Sequence, residues 1–204
     1  MLAAILDEGD LSALVLALEA EPELANTAVA EGEHAPHPIH AVCDRVFDGR
    51  LEEDTALPLV DALIEAGAHL DHVHAANGDG LLASALSLSC PQIAKRLLEA
   101  GAPFDRTGLF GALPIHWAAI MGMADLVEDL LARGSDFLLR EPKFDSTPLG
   151  WAIEGWASPP KGSKGQQIKC AARLVEAGAI VEPQWRSSER ICKDEALSLA
   201  LGLN

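Results

Sequence analysis

The sequence predicts an all-α chain made of stacked helix-turn-helix units, on three observations. Nearly every segment between its prolines and glycines reads as 8 to 15 residues of helix formers. A marker recurs as LIEAGA at Leu63–Ala68, LLEAGA at Leu97–Ala102, LLARGS at Leu130–Ser135 and LVEAGA at Leu174–Ala179. Its glycines, Gly67, Gly101, Gly134 and Gly178, are 34, 33 and 44 residues apart, a period that belongs to repeat architectures rather than to one irregular domain.

Each marker glycine follows an apolar run of helical spacing, such as Leu126, Val127, Leu130 and Leu131. A helix C-terminus needs a residue at positive φ there, which glycine adopts without steric cost. About 20 residues earlier a second marker opens the first helix of a unit: His37-Pro38-Ile39-His40, Leu113-Pro114-Ile115-His116 and Thr147-Pro148-Leu149-Gly150. Proline suits the first helical position because its missing N–H would be unpaired there anyway, and Thr147 is placed to cap the exposed amides. In the unit between, Leu81-Leu82-Ala83 occupies this register without proline.

In chain order this gives a degenerate unit at 1–34, repeats at about 35–77, 78–110, 111–144 and 145–180, and a capping helix within 181–204, all in one domain. The first unit, with Gly9, Leu14, Leu18, Pro22 and Leu24, reads as a repeat lacking its first helix. Two units are long, and the extra residues are expected between their two helices, at Asp44–Ala56 and at Trp156–Gln167. The second insertion, WASPPKGSKGQQ, reads as a flexible surface loop whose shortening within Pro159–Gly165 is tolerated. A cap is expected at the C-terminus because a stack end otherwise exposes apolar surface.

Pro-Leu/Ile-His-x-Ala, a helix, a turn, and Leu-Val-x-x-Leu-Leu-x-x-Gly-Ala together resemble the ankyrin repeat in its bacterial form. The likeness covers about residues 5 to 182. Tetratricopeptide repeats share the period but lack the Pro-Leu-His start. The resemblance implies an ankyrin-repeat solenoid of about five helix-turn-helix units joined by β-hairpin-like finger loops, whose first helices and fingers line a concave surface, with His40 and His116 as motif histidines that hydrogen-bond within the fold. Ala83 and Gly150 replace that histidine, so those units are expected to be less regular.

Composition narrows the function. The chain has 204 residues, 49% hydrophobic but only 4% aromatic, and a formal charge of −16. Residues 1 to 100 hold 18 acidic and 4 basic side chains, a net −14, and residues 101 to 204 hold 13 and 11, a net −2. That bias argues against nucleic acid and anionic membranes; it suits either solubility or a basic partner attracted at long range. The run Lys161, Lys164, Lys169 and Arg173 reads as loop and helix edge, not a nucleic-acid patch.

Asp7, Glu8 and Asp10 interrupt the apolar opening, so neither a signal peptide nor a membrane span is expected. Cys43, Cys90, Cys170 and Cys192 form no CxxC pair and read as reduced, mostly buried thiols of a cytoplasmic, monomeric protein. No GxSxG, HExxH or GxxxxGK[ST] occurs, and the prolines of Ser158-Pro-Pro-Lys161 forbid the helix an SxxK site needs. A non-enzymatic protein without cofactor follows.

The candidate partner-binding residues are Trp117, Trp151 and Trp156 with the finger residues Arg106, Phe110, Arg140, Phe144, His72 and His74. Trp117 and Trp151 hold the same repeat position, so their rings are expected about 10 Å apart, the spacing of packed helices. They read equally as half-buried packing residues or as an aromatic ridge for a partner. His34, His37 and His40 form one group and His69, His72 and His74 another, and the register lets the two approach. They leave open a zinc or nickel site or a protonation-sensitive surface, beside the simpler reading of motif and finger residues; no metal site is assigned.

Three functions therefore stand as expectations. The first is a scaffold that binds a protein on the concave surface. The second is an acidic inhibitor or immunity protein that covers a basic toxin or enzyme. The third is a metal- or small-molecule-binding ankyrin protein.

Overall fold

The computed structural model describes residues 1–30 and 35–203. They form an all-helical protein of thirteen α-helices and two short 3₁₀ segments, without a named strand among the described residues. The chain divides into two compact units, residues 1–109 and residues 110 onward.

The first unit holds α1 (Leu2–Glu8), α2 (Leu11–Ala20), a 3₁₀ turn (Pro22–Asn26), α3 (Pro38–Phe47), α4 (Glu53–Glu65), α5 (Leu81–Ser87) and α6 (Pro91–Glu99). Consecutive helices pack in pairs, α1 on α2, α3 on α4 and α5 on α6. Neighbouring pairs meet first helix to first and second to second, as α3 on α5 and α4 on α6. Leu14, Ile39, Val42, Leu59, Leu63, Leu82, Leu86, Ile93 and Leu97 fill the interior. The first 20 residues are not a single helix lacking a partner. Gly9, at φ 66°, ends α1 and lets α2 fold back on it.

The second unit holds α7 (Pro114–Ile120), α8 (Ala124–Ala132), α9 (Pro148–Ala157), α10 (Gln167–Glu176), α11 (Pro183–Arg186), α12 (Glu189–Lys193) and α13 (Glu195–Ala200). Here α7 pairs with α8 and α9 with α10, while α7 meets α9 and α8 meets α10. Ile115, Val127, Leu130, Leu149, Ala152 and Leu174 form the core. Three short helices, not one, close the chain, and α13 lays Leu197 against α10.

The local signals act as their chemistry requires. Pro38, Pro114 and Pro148 each begin a helix, and Thr147 Oγ1 accepts from Gly150 N at 3.3 Å. The four marker glycines stand at φ 86° to 104°. Behind each, the next residue donates to the carbonyl five positions back: Ala68 to Leu63, Ala102 to Leu97, Ser135 to Leu130 and Ala179 to Leu174, at 2.9 to 3.0 Å. This Schellman closure satisfies carbonyls that a helix end otherwise leaves bare.

Both insertions differ from the expected loops. In the first, most of the extra sequence is helix: α3 and α4 run 10 and 13 residues where α7 and α8 run 7 and 9. Arg45 lies buried in it, with Nε donating to Asp7 Oδ1 at 2.8 Å and Nη1 to Ala41 O at 2.7 Å. The second insertion lengthens α9 to 10 residues, and the remainder is held down. Lys164 N donates to Met121 O at 2.8 Å, Ser163 Oγ to the same oxygen at 3.3 Å, and Gln167 Nε2 to Ile120 O at 3.0 Å. The loop thus supplies the donors for the C-terminal carbonyls of α7.

The segments before α5 and α9 each carry one isolated antiparallel bridge, Val73 with Gly80 and Glu141 with Ser146. Among the described residues no helix is long and apolar enough to cross a membrane. Cys43, Cys90 and Cys170 are buried free thiols, and Cys192 is exposed.

Candidate functional site

Trp117 and Trp151 each stand three residues after the proline that opens their helix, so helix phase gives both the same outlook. Their ring centroids are 5.0 Å apart and nearly perpendicular, at 86°, not the expected 10 Å apart. Side chains reaching from neighbouring helices meet at less than the spacing of the helices; α9 also passes close to α7 at Gly155, where a Cβ would collide with Ile120 O. The edge-to-face arrangement is the one that ring quadrupoles favour. Phe110 lies 6.1 Å from Trp117 and 5.2 Å from Phe144, and Phe144 lies 6.3 Å from Trp151.

These rings border an open cavity of about 770 Å³ in the second unit, together with Trp185 from α11. Gly150 leaves room for Ser146: a Cβ there would collide with Ser146 Oγ, while it would only touch Trp185 Cζ2, at 3.4 Å. The absence of the motif histidine at this position therefore has a local reason. Trp151 is only 5% exposed and belongs to the cavity floor, whereas Phe144 is 59% exposed. The Trp117 indole N–H is buried without a hydrogen-bond partner.

A carboxylate that belongs to no motif organises the rim. Glu141 is fully buried. Its Oε2 accepts from Lys143 N at 2.7 Å and Phe144 N at 2.8 Å, and its Oε1 from Ser146 N at 3.2 Å and the Trp151 indole at 3.3 Å. One side chain closes the turn that carries Phe144 and fixes the ring beneath it. Arg140 beside it donates to Asp145 Oδ1 at 2.8 Å, to Glu182 Oε1 at 2.6 Å and to the Asp145 carbonyl. Those partners push the guanidinium pKa further up, and Arg140 draws the Asp145 carboxyl below its ordinary range. Asp145, Glu154 and Glu182 give the lining three carboxylates against the single Arg140.

His116 sits behind the tryptophans, fully buried, 5.4 Å from the Trp151 ring. Its Nδ1 accepts from Leu113 N and its Nε2 pairs with Leu139 O, each at 3.2 Å. Burial lowers its pKa to about 4, so it is a neutral structural group.

The structure thus gathers Phe110, Trp117, Arg140, Phe144 and Trp151 around one cavity. Trp156 is not among them: its indole donates to Asp194 Oδ2 at 3.0 Å and Arg190 covers its ring at 4.7 Å. Arg106, His72 and His74 belong to the first unit, where Arg106 donates to Asp71 O at 2.7 Å.

The two histidine groups of that unit do converge. His37 and His72 ring centroids are 4.7 Å apart, His40 and His74 5.2 Å, and His40 and His72 5.7 Å. His37 caps α3 by accepting from Ile39 N at 3.2 Å, and its Nε2 faces Asn26 Oδ1 at 3.3 Å. Asn26 also accepts from His69 N at 2.6 Å and donates to Gly67 O at 3.0 Å. His40 Nε2 is buried without a partner. Burial, reinforced by neighbouring imidazoles, lowers the pKa of His37 to about 4 and of His40 to about 3. His34 lies outside the described residues, and among those described no group of three or more metal-binding side chains has the geometry to hold an ion.

Comparison of the sequence with models of known protein families and with curated proteins finds no match.

Proposed function

We propose that the chain is a non-enzymatic protein-binding module of the ankyrin-repeat type, and that the aromatic cavity of its second unit is where a partner docks. The helix pairs, the prolines at first helical positions and the marker glycines support the ankyrin reading. So does His116, which ties one unit's helix start to the loop ahead of the next, at Leu139 O.

The observation that carries the binding reading is Phe144, a large aromatic left 59% exposed on a turn that a buried carboxylate holds fixed. An ordered aromatic at the mouth of a cavity loses little conformational freedom on docking, and such anchors dominate interface energies. Capture from a lysate of the source cells, with wild type beside a Trp117→Ala, Phe144→Ala double variant, tests it. A protein retained by the first and lost by the second is the expected result. One retained equally by both would place the contact elsewhere.

A second reading rests on the net −14 of residues 1 to 100. A basic toxin or enzyme steered by that charge would associate at a rate that falls steeply with ionic strength. If the rate measured for the captured partner is independent of salt, the inhibitor reading fails.

A further inference from the structure

Building on the cavity as the binding site, we infer that it accepts a basic peptide segment of the partner, with one arginine or lysine side chain inserted among the rings of the second unit.

Arg140 is the only cation in the lining, and its donors are committed to Asp145 and Glu182. Those two carboxylates already exceed the guanidinium they share, and Glu154, one turn beyond Trp151 on α9, adds a third. The lining therefore holds a surplus of two negative charges, which disfavours an acidic or phosphorylated ligand and attracts a cationic one.

The walls make the same selection. Phe110, Trp117, Phe144 and Trp185 surround the opening, with Trp151 beneath. The ring pairs meet at angles from 34° to 86°, so the rings are not stacked face on face. A cation set against aromatic faces is attracted by their quadrupoles, more strongly as it sheds water, and a carboxylate at the rim completes the match. A purely apolar side chain would satisfy the rings but leave the surplus carboxylates without a counter-charge. At about 770 Å³ the space admits a long side chain with its flanking backbone.

The probe is a capped nonapeptide of glycine and serine with one central arginine, alongside the same peptide with norleucine or glutamate at the centre. Binding is followed by the ¹H–¹⁵N indole resonances of the four tryptophans. The arginine peptide is expected to shift Trp117, Trp151 and Trp185 saturably and to leave Trp156 unmoved. The norleucine peptide binds about fivefold more weakly, the glutamate peptide not at all, and Glu154→Gln weakens the arginine peptide about fivefold without affecting norleucine. Norleucine bound as tightly as arginine would overturn the cationic specificity while leaving the cavity as a docking site. If no peptide moves any of the three indoles at millimolar concentration, the inference and the reading of the cavity as a binding site fall together.

Discussion

The Trp151 indole donates to Glu141 Oε1 at 3.3 Å, and the same carboxylate accepts three backbone N–H groups of the turn that presents Phe144. Floor and rim of the cavity are therefore set by one buried side chain. Each buried donor left unsatisfied costs about 1 to 3 kcal/mol. Glu141→Ala is expected to lower unfolding free energy by about 3 kcal/mol or more, and Glu141→Gln by less, since one oxygen remains. Denaturant titration gives both values, and an alanine variant as stable as wild type would show that the turn closes by other means.

Gly155 tests how tightly α9 packs on α7. Replacing a helix glycine by alanine ordinarily gains up to about 1 kcal/mol in propensity. Here the new Cβ would meet Ile120 O, and overpacking costs typically about 1 to 3 kcal/mol. The collision wins, so Gly155→Ala should lower the melting temperature and move the Trp117 and Trp151 indole resonances together.

Gly101 separates conformational cost from crowding. It stands at φ 92° with open space where a Cβ would go. Gly101→Val should therefore lose about 1 kcal/mol or more through the left-handed backbone alone. Shortening the chain within Pro159–Gly165 removes the Ser163 and Lys164 bonds to Met121 O and should cost about 1 to 2 kcal/mol. Melting temperatures of the two variants compare these directly; a neutral deletion would mean the loop caps α7 only weakly.

The histidine cluster gives stability a defined pH dependence. His37 and His40 carry folded pKa values of about 4 and about 3, below the ordinary 6.5. Between those values the unfolded chain binds more protons, so stability rises with pH. The contribution is fully present above pH 6.5 and is lost as pH falls toward 4, at up to about 1.4 kcal/mol per unit for each group. His72 shifts the same way, again through burial, and His69 and His74 flank the rings. Asp44 and Asp79, both raised by burial, act with the opposite sign. Unfolding free energy should drop by about 2 kcal/mol or more from pH 7 to 5. A His37→Asn, His40→Asn variant should flatten that slope, and a flat wild-type profile would contradict it.

What the sequence disclosed was local. A proline at a helix start and a glycine at a helix end act through their own backbone, so Pro114, Pro148, Gly101 and Gly134 could be read without a fold. Approaches between elements could not. Glu141 lies ten residues from the indole it holds and matches no motif. Trp117 and Trp151 stand 5.0 Å apart, and Gly155 lies where α9 meets a carbonyl of another helix. Trp156, one turn beyond Trp151, could extend the ridge by sequence alone, but Asp194 and Arg190 engage its ring. The histidine groups converge through a side chain between them, Asn26, that no spacing rule marks.

The most direct test of the cavity as a docking site is the Kd of the captured partner for wild type and for Phe144→Ala, by isothermal titration. Phe144 is exposed enough that its truncation should leave stability within about 0.5 kcal/mol, so a change in affinity reports contact rather than folding. Phe144→Ala is expected to weaken binding by about 2 kcal/mol, roughly 30-fold. An unchanged Kd, with the variant folded, would contradict it.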